Sequence, residues 1–167
     1  MIFGASSGHV KVELGAVLWV FVANIVFQGP AALTLDGKGR IAMPSRHREL
    51  LTAMGVNQLT ITKHPEGALM VFPRPAWESF RDRVSALPME ASGWKRVFLG
   101  NAMDVEIDAS SRVLIAPELR ASAGLVRDVM LLGMGSHFEL WDAQRHSEHE
   151  AKVMQSEMPE SLRNFSF

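Results

Sequence analysis

The run Leu35-Asp36-Gly37-Lys38-Gly39-Arg40 sets a carboxylate, an ammonium and a guanidinium inside one tight turn. Arginine presents a planar fork of donors that pairs with phosphate, or with O6 and N7 of guanine in the major groove. Lys38 adds a point charge that suits phosphate and is indifferent to base sequence. Gly37 and Gly39 let the turn tighten and let a backbone approach closely. Arg46, His47 and Arg48 follow just behind Pro44 and Ser45. These residue types suit an anionic partner. An alternative for Arg40 is a salt bridge to Asp36 across the turn. The two roles are compatible, because Asp36 would then hold Arg40 in a defined rotamer.

The elements that would position these groups can be read from pattern. Leu33 and Leu35 alternate with polar or small residues, as do Ile41 and Met43, so 31–44 reads as a β-hairpin around "DGKG". Pro44 and Ser45 open a short helix that Gly55 ends. "LTIT" (59–62) and "ALMVF" (68–72) read as a second strand pair across "KHPEG". Trp77, Phe80, Val84 and Leu87 recur at helical spacing, which predicts a helix over 75–87. A further helix over 89–101 would bury Trp94, Val97 and Phe98. Residues 46 and 48 do not share a helix face. Arg46 is expected to meet phosphate, and Arg48 to be structural.

The pattern then repeats. Asp36, Arg40 and Arg48 have counterparts in Asp108, Arg112 and Arg120, each 72 residues on. Gly55 and Phe72 match Gly124 and Trp141, each 69 residues on. "VMLLGM" and "HFELW" form the second strand pair, and Asp142 caps a last polar helix running to about Met158. The repeats are expected at 27–88 and 89–159, followed by a tail over 160–167. Neither is long enough to bury much alone. The two should interlock in one barrel-like core about a pseudo-two-fold axis.

Residues 1–26 stand apart. "LGAVLWVFVANIVF" (14–27) is almost wholly apolar but shorter than the roughly 20 residues of a bilayer span. It reads as an artefact of start-site choice with the natural start near Val26, as an extra packed element, or as an uncleaved anchor. The first of these is favoured.

Composition narrows the classes. Apolar residues make up 47% of the 167, enough for a packed core. There is no cysteine, which excludes disulfides and thiolate metal sites. Lys and Arg exceed Asp and Glu by three over residues 27–83, while acids exceed bases by four over 84–167. A modest basic face on the first half would suit an anionic partner, and ordinary surface variation is the alternative reading. "GASSG" (4–8) matches G-x-S-x-G but lacks the preceding strand of a nucleophile elbow. His146, His149 and Glu150 in "HSEHE" have helical spacing for a metal, yet read as a solvated helix face. No P-loop or dinucleotide fingerprint occurs. No catalytic residue, metal or cofactor is expected.

"FQGPAALTLDGKGRIAMPSRHREL", "GNAMDVEIDASSRVLIAPELRASAGL" and "VMLLGMGSHFELWD" together resemble the MraZ family of bacterial transcriptional regulators. That family lies within the AbrB-like (SpoVT-AbrB) superfamily of swapped-hairpin β-barrels. The resemblance covers about residues 27–167 in both repeats. It implies a β-rich α+β fold: an internally duplicated swapped-hairpin barrel with short flanking helices. It also implies a cytoplasmic, nucleoid-associated protein without a small-molecule substrate or a membrane. Such a protein binds double-stranded DNA at direct repeats, upstream of the cell division and cell-wall operon that holds its own gene. It does so as a ring-like homo-oligomer, most readily as a repressor. The family's DxxxR turns present the DNA contacts, which carries onto Lys38, Gly39 and Arg40, and onto Arg112.

The second copy departs from the family's usual glycine: Ser111 precedes Arg112. Serine at positive φ costs about 1 kcal/mol. Either that loop takes another turn or Arg112 is aimed differently, which favours the first copy as the reading edge. The alternative to a DNA-binding regulator is a structural or protein-interaction module of the same fold.

Overall fold

The computed structural model describes residues 26–166. The chain opens with β1 (Phe27–Thr34), then β2 (Arg40–Ala42), α1 (Ser45–Ala53), β3 (Gln58–Lys63), β4 (Leu69–Pro73) and α2 (Arg74–Ser85). A 3-10 turn (Met89–Ala91) leads into α3 (Ser92–Phe98). The second half supplies β5 (Met103–Glu106), β6 (Arg112–Leu114), α4 (Pro117–Ala123), β7 (Asp128–Gly135), β8 (Phe138–Asp142), α5 (Ala143–Gln155) and α6 (Glu160–Arg163). No helix among the described residues is long and apolar enough to cross a membrane. The readings made for residues 1–25 lie outside the described residues.

Among the described residues six strands form one antiparallel sheet in the order β1-β7-β8-β4-β3-β5, and β2 pairs with β6 in a separate two-stranded ribbon. The fold is thus α+β and β-rich, but the sheet is open. This corrects the barrel expectation: β1 and β5 are edges, and the chain leaves the sheet after each of them. The hairpin expected over 31–44 is also corrected. β1 and β2 do not pair with each other. β1 pairs with β7 from Phe27↔Gly135 to Thr34↔Asp128, and β2 pairs with β6. The Asp36 turn closes on itself, the Asp36 amide donating to the Arg40 carbonyl at 2.9 Å, but the pairing does not continue along β1 and β2. The alternation that suggested a hairpin is real, but its partners lie in the other half.

One core draws on both halves. Phe27, Leu35, Ile41, Leu51, Leu59 and Ile61 of the first pack with Val113, Ile115, Leu119, Val129, Leu131, Phe138 and Leu140 of the second. Burial of this apolar surface drives the assembly of strands distant in sequence. β4 is buried on both faces: Leu69 and Val71 join that core, while Met70 and Phe72 meet Trp77. Phe80 and Phe98 cover the second cluster. Trp94 corrects the expectation that it is buried. It is half exposed and stacks on Phe98, because α3 is only a short helix after the 3-10 turn.

The helix ends follow local chemistry. Asp142 caps α5 by accepting from the Arg145 amide at 3.1 Å. Gly124, at φ 62°, ends α4 in the left-handed conformation. The edge strand β1 is blunted by Pro30, whose missing N–H suits an edge, and by Arg46, which donates to the Pro30 carbonyl at 2.8 Å.

Candidate nucleic-acid interface

Each turn is organised by an aspartate. Asp36 Oδ1 accepts from the Lys38 and Arg40 amides at 2.9 Å each, and its Oδ2 accepts from Arg40 Nε at 2.7 Å. Asp108 repeats the arrangement. Its Oδ1 accepts from the Ser110 and Arg112 amides at 2.8 and 2.9 Å, and its Oδ2 from Arg112 Nε at 3.0 Å. A short acidic side chain bonding amides two and four residues on is the physical reason that DxxxR folds locally into this turn. The Arg40 amide, then the Arg40 guanidinium and the Lys38 amide, hold the Asp36 carboxyl down to about 2. The Arg112 amide, then the Ser110 amide and the Arg112 side chain, lower Asp108 in the same way. Both aspartates are therefore ionised at neutral pH.

Ser111 sits at φ 60° and Gly39 at φ 79°. Both alternatives framed for the second copy are overturned: the loop keeps the same turn, and Arg112 makes the same bond to its aspartate as Arg40 does. The bonds to Asp108 offset the serine's steric cost of about 1 kcal/mol.

The ribbon carries the two arginines to one surface. Its register is Arg40↔Leu114, Ile41↔Val113 and Ala42↔Arg112. Ile41 and Val113 point into the core. By strand alternation Arg40, Ala42, Arg112 and Leu114 share the outer face. Arg40 and Arg112 are diagonal neighbours, with Cα atoms about 7–8 Å apart. Asp36 and Asp108 each take only the Nε edge of their arginine, so Nη1 and Nη2 stay available for a second acceptor. The Arg40 and Arg112 side chains are 23% and 37% exposed, which is accessible yet tethered. Lys38 is exposed at the tip of its turn.

The basic run after Pro44 is split three ways. Arg46 is exposed, donates from Nε to His47 Nε2 at 3.3 Å, and lies over Gly29 at the β1 edge. His47 is buried between Phe27 and Phe138, with ring centroids 5.9 and 4.9 Å away. Burial, with the nearby Arg46 charge, lowers its pKa, so it is not part of a basic face. Arg48 crosses to the other half and donates to Ser111 Oγ at 3.1 Å. It is thus Arg48, rather than Arg46, that stands beside a turn. Its counterpart Arg120 reaches the first turn, where it lies against Gly39.

The "HSEHE" helix face is not simply solvated. His146 and His149 pack on Trp141, and His149 pairs with Glu66 at 2.8 Å. Among the described residues no group of three or more His, Asp or Glu could hold a metal ion.

Two stretches of the chain, residues 26–95 and 98–164, match a family model described as "MraZ protein, putative antitoxin-like". The chain belongs to the MraZ family. It is 70% identical over 146 residues to the transcriptional regulator MraZ of Methylibium petroleiphilum, covering 87% of this chain and 100% of that protein. The MraZ protein of Leptothrix cholodnii is 65% identical over the same coverage. That of Ralstonia pickettii is 62% identical over 142 residues, 85% of this chain and all of the relative.

Pattern reading located both MraZ turns and expected Arg48 to be structural, but it did not find that Arg48 and Arg120 cross between halves. No local signal marks them, because their partners lie over 60 residues away. The burial of His47 did have a signal: His47, Leu50, Leu51 and Met54 recur at helical spacing, which places the imidazole on the apolar face.

Proposed function

We propose that this protein is a sequence-specific DNA-binding transcriptional regulator, acting as a repressor. The observation that carries this reading is the shared outer face of β2 and β6, with Arg40 and Arg112 each held by an aspartate. A two-stranded ribbon fits the major groove, and a tethered guanidinium is a suitable reader of guanine. Lys38 and Arg46 would contribute phosphate contacts, with Gly39 allowing close approach of the backbone. The names of the relatives agree with regulation of transcription. On this reading the chain adopts the family's duplicated swapped-hairpin arrangement, with repeats at 27–88 and 89–159. It is a binding protein rather than an enzyme, working in the cytoplasm at the nucleoid.

The operator on this reading is a set of direct repeats upstream of its own cell division and cell-wall operon. One ribbon makes few contacts, so affinity requires several subunits of a ring engaging several repeats through effective concentration. Val153, Met154 and Met158 are exposed on and beyond α5, an apolar surface suited to contact with another copy. A mobility shift on that upstream DNA with wild type and Arg40→Ala tests the reading. Loss of the shift with the oligomer intact supports it; an unchanged shift rejects it.

A further inference from the structure

Gly39 is buried although Gly37 and Lys38 beside it are exposed. What covers it is Arg120. A Cβ placed on Gly39 would stand 2.5 Å from Arg120 Cζ and 2.6 Å from Nε, so the guanidinium lies flat against the glycine backbone. Arg120 is itself anchored, donating from Nε to the Ile115 carbonyl at 2.9 Å. The Ile115 amide in turn donates to the Gly39 carbonyl at 2.9 Å. Helix α4 of the second half and the segment leading into it therefore grip the first turn from two directions, through one residue of backbone and one side chain.

The second turn shows what happens when the glycine is missing. The Met43 amide donates to the Ser111 carbonyl at 2.8 Å, repeating the backbone half of the grip. Ser111, however, carries a Cβ where a guanidinium would have to lie. Arg48 remains exposed and bonds the serine hydroxyl instead. The grip is closed at the first turn and open at the second.

We propose that Arg120 is a positioning residue for the first turn: by covering Gly39 from the opposite half of the chain, it sets the direction in which Lys38 and Arg40 leave the ribbon. This rests on the reading that the ribbon binds DNA. The second half then serves recognition at the first turn as well as at its own. The two ends of the ribbon differ in rigidity because of one side chain, Ser111. Arg120 is half-buried, bonded through Nε to the Ile115 carbonyl and seated against Gly39, and the salt slope separates this holding role from a phosphate contact.

The test combines two measurements on the full chain. Operator affinity is titrated across a salt series for wild type, Arg40→Ala, Arg120→Ala and Arg48→Ala. Hydrogen exchange of the Lys38 and Arg40 amides is followed without DNA. Arg120→Ala is expected to weaken binding about tenfold, within the range of one misplaced bidentate contact. It should leave the salt slope at the wild-type value and speed exchange in the first turn but not the second. Arg120→Lys, which keeps the charge and loses the plane that covers Gly39, should behave alike and serves if the alanine variant does not fold. Unchanged affinity and exchange would overturn the proposal. A salt slope reduced by about one would also overturn it, making Arg120 a phosphate contact. If Arg40→Ala binds as wild type while Arg120→Ala still loosens the turn, the DNA reading fails and the positioning role stands.

Discussion

Ile41 stands directly opposite Val113 at the centre of the β2·β6 ribbon, and both are buried in the core. Exchanging the two halves maps this pair onto itself and maps Arg40↔Leu114 onto Arg112↔Ala42. The pair is thus where the two halves meet in the ribbon, between the two outward arginines. Truncating Ile41 to alanine leaves a cavity at that point and should cost about 2–5 kcal/mol. Denaturant titration measures the loss. DNA affinity should fall as well, even under conditions where the variant remains folded, because the ribbon loses its anchor.

Arg40→Ala and Arg112→Ala should each weaken operator binding by about 1–3 kcal/mol if both read bases. Lys38→Ala should act differently. Removing a charge that meets phosphate weakens binding to all sequences alike and reduces the salt slope by about one. Titrations on operator and scrambled DNA at several salt concentrations separate these outcomes. An equal weakening on both DNAs for Arg40→Ala would remove it from the base-reading set.

The two turns should respond unequally to exchange of Gly and Ser. Ser111→Gly relieves a positive φ of 60°, but removes the Arg48 hydrogen bond and frees the unfolded chain. These effects nearly cancel, and stability should stay within about 0.5 kcal/mol. Gly39→Ser places a side chain at φ 79° and against Arg120, and should destabilise by more than about 1 kcal/mol. Thermal unfolding of the two variants side by side decides it.

Gly133→Ala should damage the sheet edge. Its Cβ would collide with the amide nitrogen of Gln28 and come within 2.6 Å of Gln28 Cα, both of them backbone atoms that cannot swing aside. Overpacking of this kind costs about 1–3 kcal/mol. Loss of protection at the β1 and β7 amides, seen by hydrogen exchange, would show that the strand pair has opened.

Stability should depend on pH through three histidines: burial lowers His47 and His137, whereas the bond to Glu139 raises His64. Burial lowers the pKa of His47 from 6.5, so the neutral ring favours the fold; this contribution is present above pH 6.5 and is lost as pH falls toward the folded value. His64 is hydrogen-bonded to Glu139 across 3.3 Å, which raises its pKa against the opposing effect of burial. Its contribution is present below pH 6.5 and is lost as pH rises through the folded value. His64→Gln should therefore flatten the decline on the alkaline side, while the acid-side loss that comes from His47 remains. Denaturation midpoints from pH 5 to 8 give the comparison.

Sequence by itself determined the local parts of this protein. The DxxxR turns, the Asp142 cap and the helix at Trp77 are governed by bonds or periodicities spanning a few residues, so composition and spacing suffice to find them. Tertiary structure decided which strands pair. β1 and β2 look like a hairpin in the chain, yet each finds its partner in the other half, and that arrangement buries Ile41, Val113 and Phe27 in one core. The same arrangement sent Arg120 to Gly39 and Arg48 to Ser111. A side chain that acts across 60 residues or more is placed by packing, and nothing in its own neighbourhood announces its destination.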